Sequence, residues 1–177
     1  MRNIDHSVRF VRPEADKQEE VAWLYELMEE YVGELDSHHN RQTPIEIVRK
    51  VTDSMLHMQS DPSRHLEIGV IDDVPIGFFY GKIDRPDHKG LIRPGWGYIM
   101  EFYIRPNGRR NGYGRCLYER LESCLCADGA TAFYLTSDPV TGKPFWEAMG
   151  YVDSGEISPE NQLSIYEKKI NVCSMKE

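Results

Sequence analysis

One run of residues carries the strongest chemical signal in this chain: Arg109, Arg110, Asn111, Gly112, Tyr113, Gly114, Arg115. Gly112 and Gly114 have no side chains, so a bulky anion can come close to the main chain there. Arg109, Arg110 and Arg115 bring full positive charge to the same turn. Leu117, Tyr118, Leu121 and Leu125 follow at three- and four-residue steps, the spacing of one apolar helix face. The glycines therefore stand where a helix begins, and there the first backbone N–H groups lack partners and the peptide dipoles leave partial positive charge. A phosphate is the natural guest.

Two familiar phosphate cradles do not fit. A P-loop requires Lys and then Ser or Thr after its last glycine, whereas Gly114 is followed by Arg115 and Cys116. A dinucleotide fingerprint requires three spaced glycines and an acidic residue about 20 positions on, and this turn holds only Gly112 and Gly114. Ahead of the turn, Trp96 to Ile104 is an aromatic and β-branched run that reads as a central strand, broken by Arg105, Pro106, Asn107 and Gly108. A strand must thus deliver the chain into the turn, and a helix must carry it away.

The flanking elements follow from pattern. Ser7 to Val11 alternates as a first strand that Pro13 ends. Val21, Leu24, Leu27, Met28 and Tyr31 recur at helical spacing, and Gly33 is the expected stop. Thr43, Pro44 and Glu46 have the arrangement of a capping box, so a second helix is expected from there with Ile47, Val48, Val51, Met55 and Met58 along it. Leu66–Ile71, the turn Asp72–Pro75 and Ile76–Ile83 make a hairpin. Residues 84–94 are polar and rich in Pro and Gly, hence a loop. Thr131–Thr136 is the next strand, and a strand, a helix and a strand in that order favour parallel pairing with the central strand. A short helix over Phe145–Met149 closes at Gly150, and Tyr151, Val152 and Leu163–Ile170 supply the last strands.

The turn resembles motif A of the GNAT superfamily of acyl-CoA N-acyltransferases, in which Arg or Gln is followed by two variable residues, Gly, one variable residue, and Gly or Ala. Arg109, Arg110, Asn111, Gly112, Tyr113, Gly114 fits each position, and the strand ending Ile104, Arg105, Pro106 fits as well. Phe145, Trp146, Glu147, Ala148, Met149, Gly150, Tyr151 is similar to the family's closing helix. The resemblance implies an α/β (α+β) fold: a mixed, mostly antiparallel central sheet of six to seven strands, splayed at the central parallel pair and flanked by about four helices. It implies a single domain over residues 1–177, with acetyl-CoA as cosubstrate.

Carried over residue by residue, the resemblance places the pyrophosphate on the main chain from Arg110 to Arg115, with Arg109, Asn111, Gly112, Tyr113 and Gly114 in that site. Backbone groups of Phe102, Tyr103 and Ile104 would hold the pantetheine arm and polarise the thioester, stabilising charge in the tetrahedral intermediate. An attacking alkylamine is protonated at pH 7, so a group must accept its proton. Glu101 on the central strand is the candidate base, and a water chain past Tyr98 or Tyr103 is an alternative. The family's glutamate often stands one residue earlier, at Met100, or further up the strand, at Tyr98. A carboxylate at Glu101 could equally dock the substrate. Many relatives also carry a tyrosine acid where this chain has Trp146, whose N–H cannot protonate a thiolate; Tyr134, Thr136 and Ser137 are the substitutes considered. Arg109 could instead tie the turn to the sheet.

Composition bounds the partners. The chain's 177 residues suit one domain, and 40% apolar with 28% charged residues is ordinary for a globular protein. A net charge of −8 argues against nucleic acid, which is bound by an excess of Lys and Arg, and tilts slightly towards a cationic acceptor. No stretch approaches a membrane span, and Arg2, Asp5, His6 and Arg9 leave no apolar core for a signal peptide, so no membrane and a cytoplasmic setting are expected. Cys116, Cys124, Cys126 and Cys173 show no disulfide spacing, and neither Cys124 with Cys126 nor the pair His38 and His39 has metal-ligand spacing, so no metal is expected. The acceptor is a small-molecule or peptide amine, and a homodimer stays open. The rival function is a non-catalytic acyl-CoA-binding sensor or interaction module.

Overall fold

The computed structural model describes residues 7–170. Arg2, Asp5 and His6, which argued against an export signal, and Cys173 lie outside the described residues. Strands β1 (Arg9–Val11), β2 (Arg64–Ile71), β3 (Val74–Ile83), β4 (Gly97–Ile104), β5 (Ala132–Ser137), β6 (Val152–Ile157) and β7 (Ser164–Lys169) form a seven-stranded sheet in the order β1-β2-β3-β4-β5-β7-β6. Helices α1 (Gln18–His39), α2 (Ile45–Met58), α3 (Tyr113–Ala127) and α4 (Gly142–Ala148) accompany it. Pairs β1–β2, β5–β7 and β6–β7 are antiparallel, while β4 and β5 run parallel with Gly97 opposite Phe133 and Tyr98 opposite Tyr134. This is the mixed sheet with one parallel pair that the order of elements led us to expect.

The chain packs as two compact units, one holding the residues up to Tyr80 together with Glu101–Leu121, the other holding Gly81–Met100 and the chain from Glu122 onward. In the first unit, Leu24, Leu27 and Met28 of α1, Val48 and Met55 of α2, Ile68 and Val70 of β2, Phe78 and Phe79 of β3 and Leu117 and Leu121 of α3 are buried. The β2–β3 hairpin turns on Asp72 and Asp73, both with positive φ (50° and 61°), the backbone of a tight two-residue turn whose twist suits its strands. Gly77 lets β3 approach β4: a Cβ there would lie 2.2 Å from the Tyr103 carbonyl oxygen.

Two local expectations need correction here. Helix α1 does not stop at Gly33 but runs to His39 and ends on Asn40 in the left-handed conformation, with φ 49°. Glycine inside a helix costs only about 1 kcal/mol, and ion pairs from Glu30 to Arg105 and from Glu34 to Arg109 bracket the position. His38 and His39 are therefore in the last helical turn, not a loop. Next, the capping box does not form. Pro44 is the residue before α2, and the Thr43 hydroxyl and N–H both donate to Asp36, at 2.9 and 2.5 Å. Helix α2 carries the expected apolar residues, with Val48, Thr52 and Met55 buried and Ile47, Val51 and Met58 exposed.

In the second unit, Ala132, Phe133, Tyr134 and Leu135 of β5 are all buried, and Trp146, Met149 and Tyr151 are buried near the end of α4. That helix starts three residues before the expected Phe145, because Asp138 accepts hydrogen bonds from the Thr141 N–H and hydroxyl at 2.9 and 2.8 Å and organises the turn that precedes it. Gly150, at φ 93°, and a Tyr151 N–H bond to the Trp146 carbonyl close it.

Candidate active site

Strand β4 ends at Ile104, a single 3-10 turn spans Pro106–Gly108, and α3 begins at Tyr113. Between them, Arg110 (φ 65°) and Gly112 (φ 82°) take the left-handed conformation. A Cβ at Gly112 would meet nothing within 4 Å, so the outer side of the turn is open to a ligand. Arg110, Asn111, Gly112 and Arg115 are exposed and Tyr113 and Gly114 half-buried. The Cys116 N–H bonds back to the Gly112 carbonyl at 3.1 Å, so the N–H groups just before it are those that helix geometry leaves without an internal acceptor. The first turn of α3 carries no acidic residue, in keeping with a place for an anion.

The arginines divide by role. Arg110 and Arg115 are exposed on the turn. Arg109 turns inward: its Nε donates to the Ile104 carbonyl at 2.9 Å, Nη2 bonds Glu34 of α1 at 2.7 Å, and the guanidinium lies 5.8 Å from the Tyr103 ring centre. Asn111 Nδ2 donates to the Arg109 carbonyl at 3.0 Å. Arg105, just past β4, binds Glu30 and Glu26 through its guanidinium, each at 2.8 to 2.9 Å, and donates to the Pro75 carbonyl at 2.8 Å. A ladder of carboxylates on α1 thus pegs the turn in place, and Arg109 does what a structural arginine would do at that position.

Glu101 and Tyr103 belong to the first unit and Tyr98 to the second. Glu101 keeps some exposed surface, yet its carboxyl sits in surroundings dense enough that burial pushes its pKa up to about 7; the hydrogen bond from Tyr31 pulls the other way. Tyr31 lies edge-on to Phe78 with ring centres 6.0 Å apart and 5.5 Å from Tyr103. Tyr103 is buried, and burial, together with Glu30 and Glu34, pushes its phenol up to about 12, so it does not ionise at working pH. Phe102 is half-buried and Ile104 buried.

Tyr98 stacks on Tyr134, 4.5 Å between ring centres and 7° between planes, with Lys82 Nζ 6.0 Å from its own centre. The hydroxyl of Tyr134 donates to Asp84 and, at 3.2 Å, to the Leu91 carbonyl; burial first and the Asp84 bond second raise its pKa. Thr136 Oγ1 accepts from Asn161 at 2.9 Å, Ser137 Oγ donates to the Asp138 carbonyl at 3.2 Å, and Trp146 is buried. Of the three hydroxyls weighed as acids for a departing thiolate, Tyr134 and Ser137 already donate within the fold, while Thr136 is engaged as an acceptor. Burial raises the thiols of Cys116 and Cys126, the reverse of what a thiolate nucleophile needs.

Comparison with known proteins decides the family. The model of the GNAT acetyltransferase family matches residues 24–151. The chain belongs to the GNAT acetyltransferase family. Among solved structures, the PaiA N-acetyltransferase of Thermoplasma acidophilum, in complex with coenzyme A, superposes with a TM-score of 0.74 at 18% identity, over 93% of this chain and 99% of that one. An acetyltransferase of Thermus thermophilus gives 0.69 at 17% identity, over 93% and 97%. Tetrahymena GCN5 gives 0.66 at 12%, over 93% and 96%. No curated protein sequence matches. Among the described residues of this GNAT chain, no helix is long and apolar enough to cross a membrane.

Sequence reasoning missed two features of this GNAT domain. Asp36 is buried near the end of α1 and gathers the Thr43 N–H, the Thr43 hydroxyl and Arg41 Nε; these bonds hold its carboxyl below the usual carboxylate range. It shapes one wall of a cleft of about 380 Å³ between α1 and α2, lined also by Glu29, Val32, Gly33, Ile45 and Val48. The other is Tyr31, which the helical pattern marked only as an apolar position. Tyr31 has no local signal, since its ring partners come from β3 and β4, whereas Asp36 meets Arg41 and Thr43 only five and seven residues on.

Proposed function

We propose that residues 1–177 form one GNAT domain that transfers an acetyl group from acetyl-CoA to a primary amine, by direct attack in a ternary complex. The observation that carries this reading is Glu101: a carboxyl on β4 whose burial holds its pKa at about 7, where a general base works best. Above that pH it is ionised and can take the proton of an incoming amine. The backbone N–H groups from Arg110 to Arg115 hold the pyrophosphate, with Arg109 fixing the turn beneath them. The main chain at Phe102, Tyr103 and Ile104 takes the pantetheine arm and the thioester. The amine nitrogen attacks the thioester carbonyl, its proton passes to Glu101, directly or through water, and the intermediate collapses to the amide and the thiolate of coenzyme A. Tyr134 and Ser137 already donate within the fold, and the thiolate leaves without a dedicated protein acid, which its own acidity permits.

The acceptor is a small molecule or peptide amine, and the setting is cytoplasmic. The cleft between α1 and α2, with Glu29 at its side, is the wall the acceptor meets. Release of free thiol from acetyl-CoA in the presence of a panel of amines tests the reading. Turnover that rises with pH through about 7 and disappears in Glu101→Gln supports it; coenzyme binding by calorimetry with no turnover on any amine would instead leave a non-catalytic acyl-CoA-binding module.

A further inference from the structure

We infer that Glu34 of α1 is a positioning residue for the coenzyme's pyrophosphate: it acts through Arg109, which holds the turn whose N–H groups meet the phosphates. The inference rests on the reading of that turn as the pyrophosphate site, and on geometry that stands without it. Arg109 Nη2 donates to both carboxylate oxygens of Glu34, at 2.8 and 2.7 Å, and Nε donates to the Ile104 carbonyl at 2.9 Å. One guanidinium thus joins the late part of α1 to the last residue of β4. The side chain of Glu34 is only 21% exposed, so the pair is partly withdrawn from water and less screened than a surface pair.

Arg109 is tied down along its main chain as well. Its N–H donates to the Pro106 carbonyl at 3.2 Å, and its own carbonyl accepts from Asn111 Nδ2 at 3.0 Å. Immediately after it the chain takes a conformation that an L side chain resists, with Arg110 at φ 65° and then Gly112 at φ 82°. Such a backbone persists only where its surroundings over-determine it. Arg110 is itself exposed, so the bend is fixed from the residue before it, and Glu34 fixes that residue. Glu30 holds Arg105 in a similar way at 2.9 Å, but Arg105 lies ahead of the 3-10 turn and not at the bend.

The Glu34 carboxylate acts on a bound anion in two ways of opposite sign. Its charge repels phosphate, and its removal would also free the Arg109 guanidinium to approach one. On electrostatics alone, a variant without Glu34 would bind coenzyme more tightly. Its hold on Arg109, however, forms the turn before the ligand arrives, which spares the complex the cost of ordering it. Arg109 is turned inward, bonded to Ile104 and 5.8 Å from the Tyr103 ring centre, while Arg110 and Arg115 already supply exposed positive charge. The second effect is therefore the larger, and the sign of the change in affinity decides between them.

The test is Glu34→Ala, which keeps a good helix former in α1. Affinity for coenzyme A is measured by calorimetry, and affinity for pantetheine, which has the arm and neither the pyrophosphate nor the nucleotide, by NMR titration. Coenzyme A should bind about tenfold more weakly, and pantetheine within about twofold of the parent. Arg109→Ala should show the same split, and Glu34→Ala added to it should weaken binding no further, since the carboxylate acts only through the guanidinium. Unchanged or tighter binding of coenzyme A by Glu34→Ala overturns the inference, as does an equal loss for both ligands, which would mark a merely structural residue. If the parent itself holds coenzyme A no more tightly than pantetheine, the turn is not the pyrophosphate site, and the inference falls with that reading.

Discussion

Asp84 and Glu101 are both carboxylates taken out of water, one in each compact unit, and the chain surrounds them differently. Asp84 is 1% exposed. Lys82 Nζ lies 3.2 Å from it, the Arg93 N–H donates to it at 2.8 Å, the Tyr134 hydroxyl donates as well, and His88 stands 3.8 Å away. Its main chain is bonded on both sides, to Trp96 and to Gly95. Glu101 has burial, which raises its pKa, and the Tyr31 hydroxyl against it. A buried charge met by a cation and several donors is held in place, and breaking such a set is costly. A buried charge met by one neutral donor stands close to its own titration, as a proton acceptor must. The same residue chemistry is structural in one place and poised in the other.

Removing each carboxylate should therefore fail in a different way. Glu101→Gln is expected to lower kcat by about 10²- to 10⁴-fold, while the affinity for acetyl-CoA in calorimetry stays within about threefold of the parent. Asp84→Ala leaves Lys82 buried without its partner and is expected to cost about 3–5 kcal/mol in denaturant unfolding. If Asp84→Ala were stable and inactive, or Glu101→Gln unfolded and fully active where folded, the contrast would be reversed.

The titration of Glu101 also has a sign in stability. Its pKa is raised from the ordinary value of 4.5 to about 7 in the folded protein. Between these values the folded state holds the proton that the unfolded state has released, so stability falls as pH rises from about 4.5 through about 7. Glu101→Gln cannot release a proton and should lack that fall. The difference between parent and variant, on the order of 3 kcal/mol for that shift, should open between about pH 4.5 and 7 in thermal melts. A parallel pair of pH profiles would mean that Glu101 is not desolvated.

Much of this was legible in the residues, and what was not has a common cause. The strand before the turn, the glycines, the helix after it and the parallel pairing of β4 with β5 all follow from local pattern and element order. The ends of α1 and α2 do not. Gly33 carries a helix-stop signal that ion pairs to Arg105 and Arg109 override, and those arginines lie far along the chain. Thr43 matches a cap, yet its hydroxyl is drawn to Asp36. The polar run after Ile83 reads as a solvated loop, and the fold buries Asp84 in it by bringing Tyr134 and Lys82 together around it. The raised pKa of Glu101 is likewise set by burial that the fold supplies around it. Sequence pattern reports which face is apolar; it does not report which distant donor a carboxylate will meet.

The phosphate turn extends the contrast from charge to backbone. Gly112 sits at φ 82°, where a side chain is strained by roughly 1–2 kcal/mol even though nothing crowds it. Gly112→Ala should weaken acetyl-CoA binding about tenfold if that strain is relieved by reshaping the turn, with Glu101 still titrating near 7 by NMR. Unchanged affinity would mean that the N–H groups of the turn are not the ligands of the pyrophosphate.

The smallest expected effect lies at Gly33, where the chain is helical against its local preference. No atom lies within 4 Å of a Cβ built there, and its φ is not in the left-handed range that an alanine would resist. Alanine reduces the freedom of the unfolded chain and has the better helix propensity, so Gly33→Ala should stabilise the protein by about 0.4–1 kcal/mol, a rise in Tm of about 2–4 °C at the upper end of that range. The same residue lines the cleft between α1 and α2. A methyl group there takes volume from that cleft without touching Glu101 or the turn, so KM for the amine should rise while coenzyme affinity holds. Should stability rise and KM stay fixed for every amine turned over, the acceptor does not use this wall, and the openness of the first unit at that place serves something other than the transfer.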